Sequence, residues 1–170
     1  MIEHEQHQML QGVVRLAQRP VREVMTPRNQ LDWIDADSDA AAIRAAIEES
    51  SHSLMPIAEG SPDKVIGIAK VREILALMVA GEQVDLRAIA RKAEVVPDQL
   101  DAVDALRVLQ HADVAMAMVH DEYGHLDGIV TPVDVLTALV GDFASDQEHG
   151  ESPGVVERED GSLLISGSLS

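Results

Sequence analysis

Gly128-Ile-Val-Thr-Pro-Val-Asp-Val-Leu-Thr-Ala-Leu-Val-Gly141 joins a short apolar run, Ile129 and Val130, to a helical pattern through Thr131 and Pro132. Thr131 can act as N-cap, its hydroxyl accepting from an otherwise orphaned backbone N–H. Pro132 falls at the first helical position, where a missing donor costs nothing. A strand therefore runs straight into a helix N-terminus. Such a terminus gathers unpaired N–H groups and the positive end of the helix dipole, which suits a phosphate. Asp134 stands where an acidic side chain could accept from ribose hydroxyls, as in dinucleotide-binding folds. Thr-x-x-Asp is also close to a capping box, in which both side chains only close the helix end, and spacing alone favours that second reading.

The stretch has an earlier copy. Val65-Ile-Gly-Ile-Ala-Lys-Val-Arg-Glu-Ile-Leu-Ala-Leu-Met78 aligns over Leu126-Asp-Gly-Ile-Val-Thr-Pro-Val-Asp-Val-Leu-Thr-Ala-Leu139. The surrounding elements repeat as well. Leu31, Trp33 and Ile34 read as a strand, Ala40 to Glu49 as a helix capped from the acidic turn 35–39, and Leu54 to Ala58 and Val65 to Ala69 as paired strands before a helix to Val79. After a lead-in over Val84 to Ala90, Glu94 to Val96 is a strand and Leu100 to Leu109 a helix. Val114 to Val119 and Leu126 to Val130 are strands around an Asp121-Glu-Tyr-Gly124 turn, and Val133 to Val140 is a helix. Internal duplication of this kind predicts an α/β (α+β) fold of two β-α-β-β-α repeats packed pseudo-symmetrically through their sheets, 20–82 and 83–145.

Pseudo-symmetry offers two clefts of unequal chemistry. The first copy carries Lys70 where the second has Thr131, and Glu73 where it has Asp134. Lysine is a poor N-cap, so the second copy is the better candidate. Outside the repeats, residues 3–18 read as an amphipathic helix within an N-terminal segment 1–19, residues 146–154 as a polar linker, and Val155 to Ile165 as a hairpin that begins a further, truncated β-containing domain.

A chain of 170 residues with 46% hydrophobic content can bury such a core. It has no cysteine, hence no disulfide, thiol nucleophile or thiolate metal site. Its formal charge of −17 opposes nucleic-acid binding, which depends on Lys and Arg replacing phosphate counterions. No apolar run reaches the roughly 18–20 residues needed to span a bilayer. The seven histidines lack metal-binding spacing, and paired carboxylates such as Glu48 and Glu49 fit a solvated face better than acid/base catalysis. No metal site and no enzymatic activity are expected.

The repeat order and the Gly128-Ile-Val-Thr-x-x-Asp134 motif resemble paired cystathionine-beta-synthase (CBS) domains, the Bateman module, over roughly residues 20–145. Val24-Met-Thr-Pro-Arg28, Asp121-Glu-Tyr-Gly124 and Leu139-Val-Gly-Asp142 narrow the resemblance to the CorC/HlyC group, the hemolysin or magnesium and cobalt efflux proteins. Glu5 to Pro27 resembles the segment that links a membrane domain to the CBS pair in this group, including versions fused to TerC-like membrane proteins. The resemblance implies an adenine-nucleotide site, for AMP or ATP with Mg²⁺ as companion, with Asp134 on the ribose and Thr131 near the phosphates. Met25 and Met118 would border the adenine, Arg28 would supply positive charge, and Thr26, Pro27, Val130 and Pro132 would complete the surroundings. It further implies a homodimer, through helix residues such as Ile74, Leu75, Met78, Leu136 and Leu139, and an attached membrane domain on whose cytoplasmic side the module works. A purely structural dimerisation module, with Thr131 and Asp134 as helix caps only, is the alternative.

Overall fold

The computed structural model describes residues 18–150, which contain seven β-strands and five α-helices. The chain divides into two compact units. Ala17–Leu136 holds both sheets; of the other unit, Met1–Leu16 with Thr137–Ser170, the described part is helical. The sequence-predicted helix at 3–18, apart from residue 18, and the hairpin at 155–165 lie outside the described residues.

One sheet has three strands, in the order β2 (Ile34–Asp35), β3 (Leu54–Ala58), β4 (Val65–Lys70). Strands β2 and β3 run parallel, β3 and β4 antiparallel. Between β2 and β3 lies α1 (Ala40–Glu49), and α2 (Val71–Val79) follows β4. The Asp39 side chain caps α1, accepting from the Ala42 N–H at 2.8 Å. Apolar side chains at helical spacing turn Ile43 and Ile74 onto Ile34, Met55, Ile57 and Ala69, all essentially buried. The short α3 (Leu86–Ile89) adds Leu86 to the same cluster.

The second sheet has four strands, in the order β1 (Thr26–Pro27), β7 (Leu126–Val130), β6 (Ala117–His120), β5 (Glu94–Pro97). Helix α4 (Ala102–Gln110) connects β5 to β6, and α5 (Pro132–Gly150) leaves β7. Ile68, Val114, Met116, Met118, Leu126 and Ile129 form one buried cluster, with Leu54 and Val65 packed against it. The two sheets therefore share a core, as two half-sized repeats require.

The lead-ins of the two repeats are exchanged. Thr26 and Pro27, near the start of the first repeat, pair antiparallel with Ile129 and Gly128 of the second sheet. In return Arg91, near the start of the second repeat, bridges Ile68 of the first sheet through two 2.8 Å backbone hydrogen bonds. Glycine permits both approaches. A Cβ on Gly128 would lie 2.2 Å from the Thr26 carbonyl oxygen, and one on Gly67 would lie 2.7 Å from that of Arg91.

Three expectations are corrected. Leu31 and Trp33 lie outside β2, which is only Ile34–Asp35, because the 3₁₀ turn Arg28–Gln30 and the backbone after it have no pairing partner there. The strand expected from Val114 begins at Ala117, because the Met116 N–H donates to the Val114 carbonyl at 2.9 Å and turns the chain over three residues. Helix α5 continues to Gly150, so residues 146–150 are helix and not linker. No proline interrupts residues 141–150, and Gln147 and Glu148 are good helix formers, so polarity alone did not mark an end.

Asp127 on β7 has its carboxyl pushed above the ordinary range, by burial first, then by a side-chain hydrogen bond with Asp98 and by the charges of Asp121, Asp98 and Glu122. A raised folded-state value means that the protonated form is the stabilised one. Its contribution is present at acid pH and is lost as pH rises through the folded value. Asp127→Asn is therefore expected to raise the melting temperature more at pH 7 than at pH 4, which thermal melts of both proteins across that range will check.

Candidate functional site

A cavity of about 510 Å³ opens within the larger unit where the exchanged strand β1 meets the start of α5. Leu31, Leu54, Pro56, Met116 and Ile129 supply apolar wall, and Thr26, Gln30, Asp32, Ser51, His52, Ser53, Thr131 and Asp134 supply polar groups. Its volume falls within the roughly 300–1,000 Å³ usual for small-molecule sites, and apolar walls with a few convergent polar groups are their usual construction.

Asp134 is the hub. Its Oδ2 accepts from the Thr131 N–H at 3.0 Å and from the Thr131 hydroxyl at 3.2 Å, and its Oδ1 accepts from the Thr26 hydroxyl at 3.5 Å. The Thr131 Oγ1 in turn accepts from the Asp134 N–H at 3.3 Å. The pair thus makes a reciprocal capping box, the geometry that spacing favoured. This box takes the N–H of Thr131 at the N-cap and that of Asp134 at the third helical position, Pro132 has none, and the Val133 N–H stays outside it. The helix start therefore has less to offer a phosphate than a bare terminus would. The Oδ1 side, held only by the long contact to Thr26, is the part of the carboxylate best able to receive ribose hydroxyls.

Of the nine residues expected at the site, Thr26, Thr131, Pro132 and Asp134 come together around this cavity. Val130 is fully buried in β7, opposite Ala117, and Pro27 pairs with Gly128. The Met25 sulfur packs 3.0 Å from where a Gly128 Cβ would be. Met118 is buried and lines a different, smaller cavity of about 220 Å³ that includes Asp63, Lys92 and His120. The turn at Val114 to Met116 explains the exchange, since it delivers Met116 and Ala115 to the larger cavity instead. Arg28 is held by Asp63 in a two-pronged ion pair, Nε to Oδ1 at 3.0 Å and Nη2 to Oδ2 at 2.8 Å. Arg28 holds the Asp63 carboxyl below its usual range.

Among the described residues, the lining contains no lysine or arginine, and two of its members are aspartates. His52 stands 3.6 Å from Asp32. Sequence spacing did not single out Ser51 to Leu54. The available signal was a polar run, Ser50-Ser-His-Ser53, placed immediately before a strand that enters the shared core.

In the first copy the equivalent carboxylate is already engaged. Glu73 accepts from Arg91 Nη2, and Arg91 Nη1 lies 3.8 Å from Asp113. Lys70 occupies the N-cap position of α2 without a side-chain hydrogen bond, as its chemistry predicts.

Two interlocked sheets with a ligand-sized cleft at a Thr-x-x-Asp helix start define a paired CBS module. The family model "CBS domain" matches residues 85–141. The CBS domain of a bacterial CNNM/CorC family Mg²⁺ transporter in complex with ATP is 31% identical, with a TM-score of 0.71 over 80% of this chain and 97% of that one. A CBS-domain pair with bound AMP from Klebsiella pneumoniae is 30% identical, with a TM-score of 0.64 over 72% and 98%. The UPF0053 inner membrane protein YoaE of Escherichia coli K12 is 37% identical over 164 residues, 96% of this chain and 31% of YoaE. The chain belongs to the CBS-domain family and, within it, to the paired modules of the CorC/HlyC type. It spans about a third of the length of the curated relatives it matches. Among the described residues, no helix is long and apolar enough to cross a membrane.

Proposed function

We propose that this chain is a regulatory module that binds an adenine nucleotide in the 510 Å³ cavity and conveys its occupancy to an attached ion-transport domain, on the cytoplasmic side of the membrane. It acts by binding and not by catalysis. The observation that carries the reading is the Asp134 carboxylate, presented beside apolar walls with its Oδ1 only loosely held. Support comes from the relatives that hold ATP and AMP and from the inner-membrane relative. The repeats are 20–82 and 83–145, the second sheet completed by strand β1 from the first repeat's lead-in and the first bridged by Arg91 from the second's.

That the described residues of the lining include no Lys or Arg bears on the nucleotide's charge. Arg28, expected to supply positive charge, is paired with Asp63. A polyphosphate approaching a chain of formal charge −17 then needs Mg²⁺ as its counter-charge, more than AMP does. The module is further proposed to be a homodimer. Leu75, Val79, Val133 and Leu136 are each more than two-fifths exposed on helix surfaces, whereas Ile74, first counted with them, is committed to the core.

A thermal-shift panel of AMP, ADP, ATP and S-adenosylmethionine, each with Mg²⁺ and with chelator, tests this reading, with light scattering on the same sample. The expected result is a rise with adenine nucleotides, a larger Mg²⁺ effect for ATP than for AMP, and a mass twice the 18.4 kDa of the chain. The second reading, a structural dimerisation module, has the observed capping box in its favour. It predicts the dimer with no shift for any nucleotide.

A further inference from the structure

The duplication lets one cleft be compared with the other, position by position. Ile129, Thr131 and Asp134 correspond to Ile68, Lys70 and Glu73 in the aligned copies. Thr26 lies opposite Ile129, and Arg91 lies opposite Ile68. Arg91 is therefore the counterpart of Thr26. Each also touches the equivalent carboxylate: the Thr26 hydroxyl reaches Asp134 Oδ1 at 3.5 Å, and the Arg91 guanidinium donates to Glu73 Oε2.

We propose that Arg91 is an internal occupant of the first-copy cleft, closing it to nucleotide and limiting the chain to one nucleotide per polypeptide. This rests on the reading of Asp134 as the ribose acceptor. A threonine hydroxyl is short and neutral, so it leaves room beside Asp134 and gives way to a competing donor. A guanidinium is long, permanently charged and forms hydrogen bonds to carboxylate about twice as strong as neutral ones. Neutral ribose hydroxyls cannot displace it from Glu73. Two backbone hydrogen bonds to Ile68, at 2.8 Å each, fix where the Arg91 side chain starts. Asp113, 3.8 Å from Nη1, supplies a second carboxylate to the same guanidinium. Only a third of the Arg91 and Glu73 side chains is exposed, which limits the screening of their attraction.

Isothermal titration with AMP, and with ATP plus Mg²⁺, tests the proposal on four proteins, each first checked for a cooperative melt. The wild-type chain is expected to take up one equivalent. Arg91→Thr combined with Lys70→Thr, which copies the open cleft, is expected to take up two, and adding Asp134→Ala to that pair should return it to one. In the opposite direction, Thr26→Arg should let a guanidinium seize Asp134 and weaken nucleotide binding by about tenfold or more, the loss expected when a charged hydrogen bond must be displaced. Two equivalents in the wild type would overturn the proposal, as would wild-type affinity in Thr26→Arg. If the Arg91 variants do not fold, Thr26→Arg decides alone. If the wild type binds no nucleotide, the adenine reading fails by itself. Binding gained by the Arg91/Lys70 variant would then still uphold the plug, and no gain would overturn it.

Discussion

Gly128→Ala is expected to lower the melting temperature by roughly 6–12 °C, the equivalent of about 3 kcal/mol in a chain of this size. The added methyl would be built 2.2 Å from the Thr26 carbonyl oxygen and 3.0 Å from the Met25 sulfur. The first neighbour is backbone, already held in antiparallel register with β7, and cannot swing aside as a side-chain tip can. Relief requires β1 to lift from β7, which would carry Thr26 away from Asp134. The variant should therefore lose nucleotide binding as well as stability. Gly67→Ala meets the Arg91 carbonyl oxygen at a less severe 2.7 Å and should cost less. Gly141→Ala meets nothing within 4 Å on a helix and should be neutral or stabilising, by up to about 1 kcal/mol. Thermal melts of the three variants that failed to follow this order would refute the exchanged-strand geometry as the reason for the glycines.

Asp134→Ala is expected to abolish the nucleotide-induced rise in stability, which for a ligand at 100 times its dissociation constant is about 2.7 kcal/mol. The same change removes a cap, because the carboxylate accepts from the Thr131 N–H, and should cost the free protein about 1 kcal/mol. The two losses separate cleanly when each variant is melted with and without ligand. Asp134→Asn is the useful companion, since an amide oxygen can still accept from the Thr131 N–H while the charge is gone. Under the binding reading, Asn restores the melting point of the free protein but not the increment from ligand. An intact increment in Asp134→Ala would show that the carboxylate only closes a helix.

The duplicated sheet-and-helix pattern was legible because apolar residues recur with the period of each element, and Ile43, Ile74 and Val135 are indeed among the most buried side chains. The lead-in exchange was not. β1 is two residues long, too short to show any period, and its partner is about 100 residues away in sequence. The same reason hid Arg91, whose role is visible only once Ile68 is seen beside it. At the site, Thr131 and Asp134 could be read because a capping box has fixed local spacing. Met116 could not, because it reaches the cavity through a three-residue turn that interrupts the apparent strand, and the family resemblance named Met118 instead. The partner of Arg28 was not legible, because a sequence shows a charge but not the carboxylate beside it.

The exchange also fixes an order of events during synthesis. Strand β1 emerges early yet has no partner until β7 follows about 100 residues later. At the usual 5–20 residues per second this is a wait of about 5–20 s. During it the first sheet can form, but the face that carries Leu54, Val65 and Ile68 has nothing from the second sheet to cover it. A nascent chain at that stage displays a flat apolar surface beside a loose extended segment, the combination most prone to capture by a neighbouring copy. The apolar face of the first sheet is covered only when the strands of the second arrive.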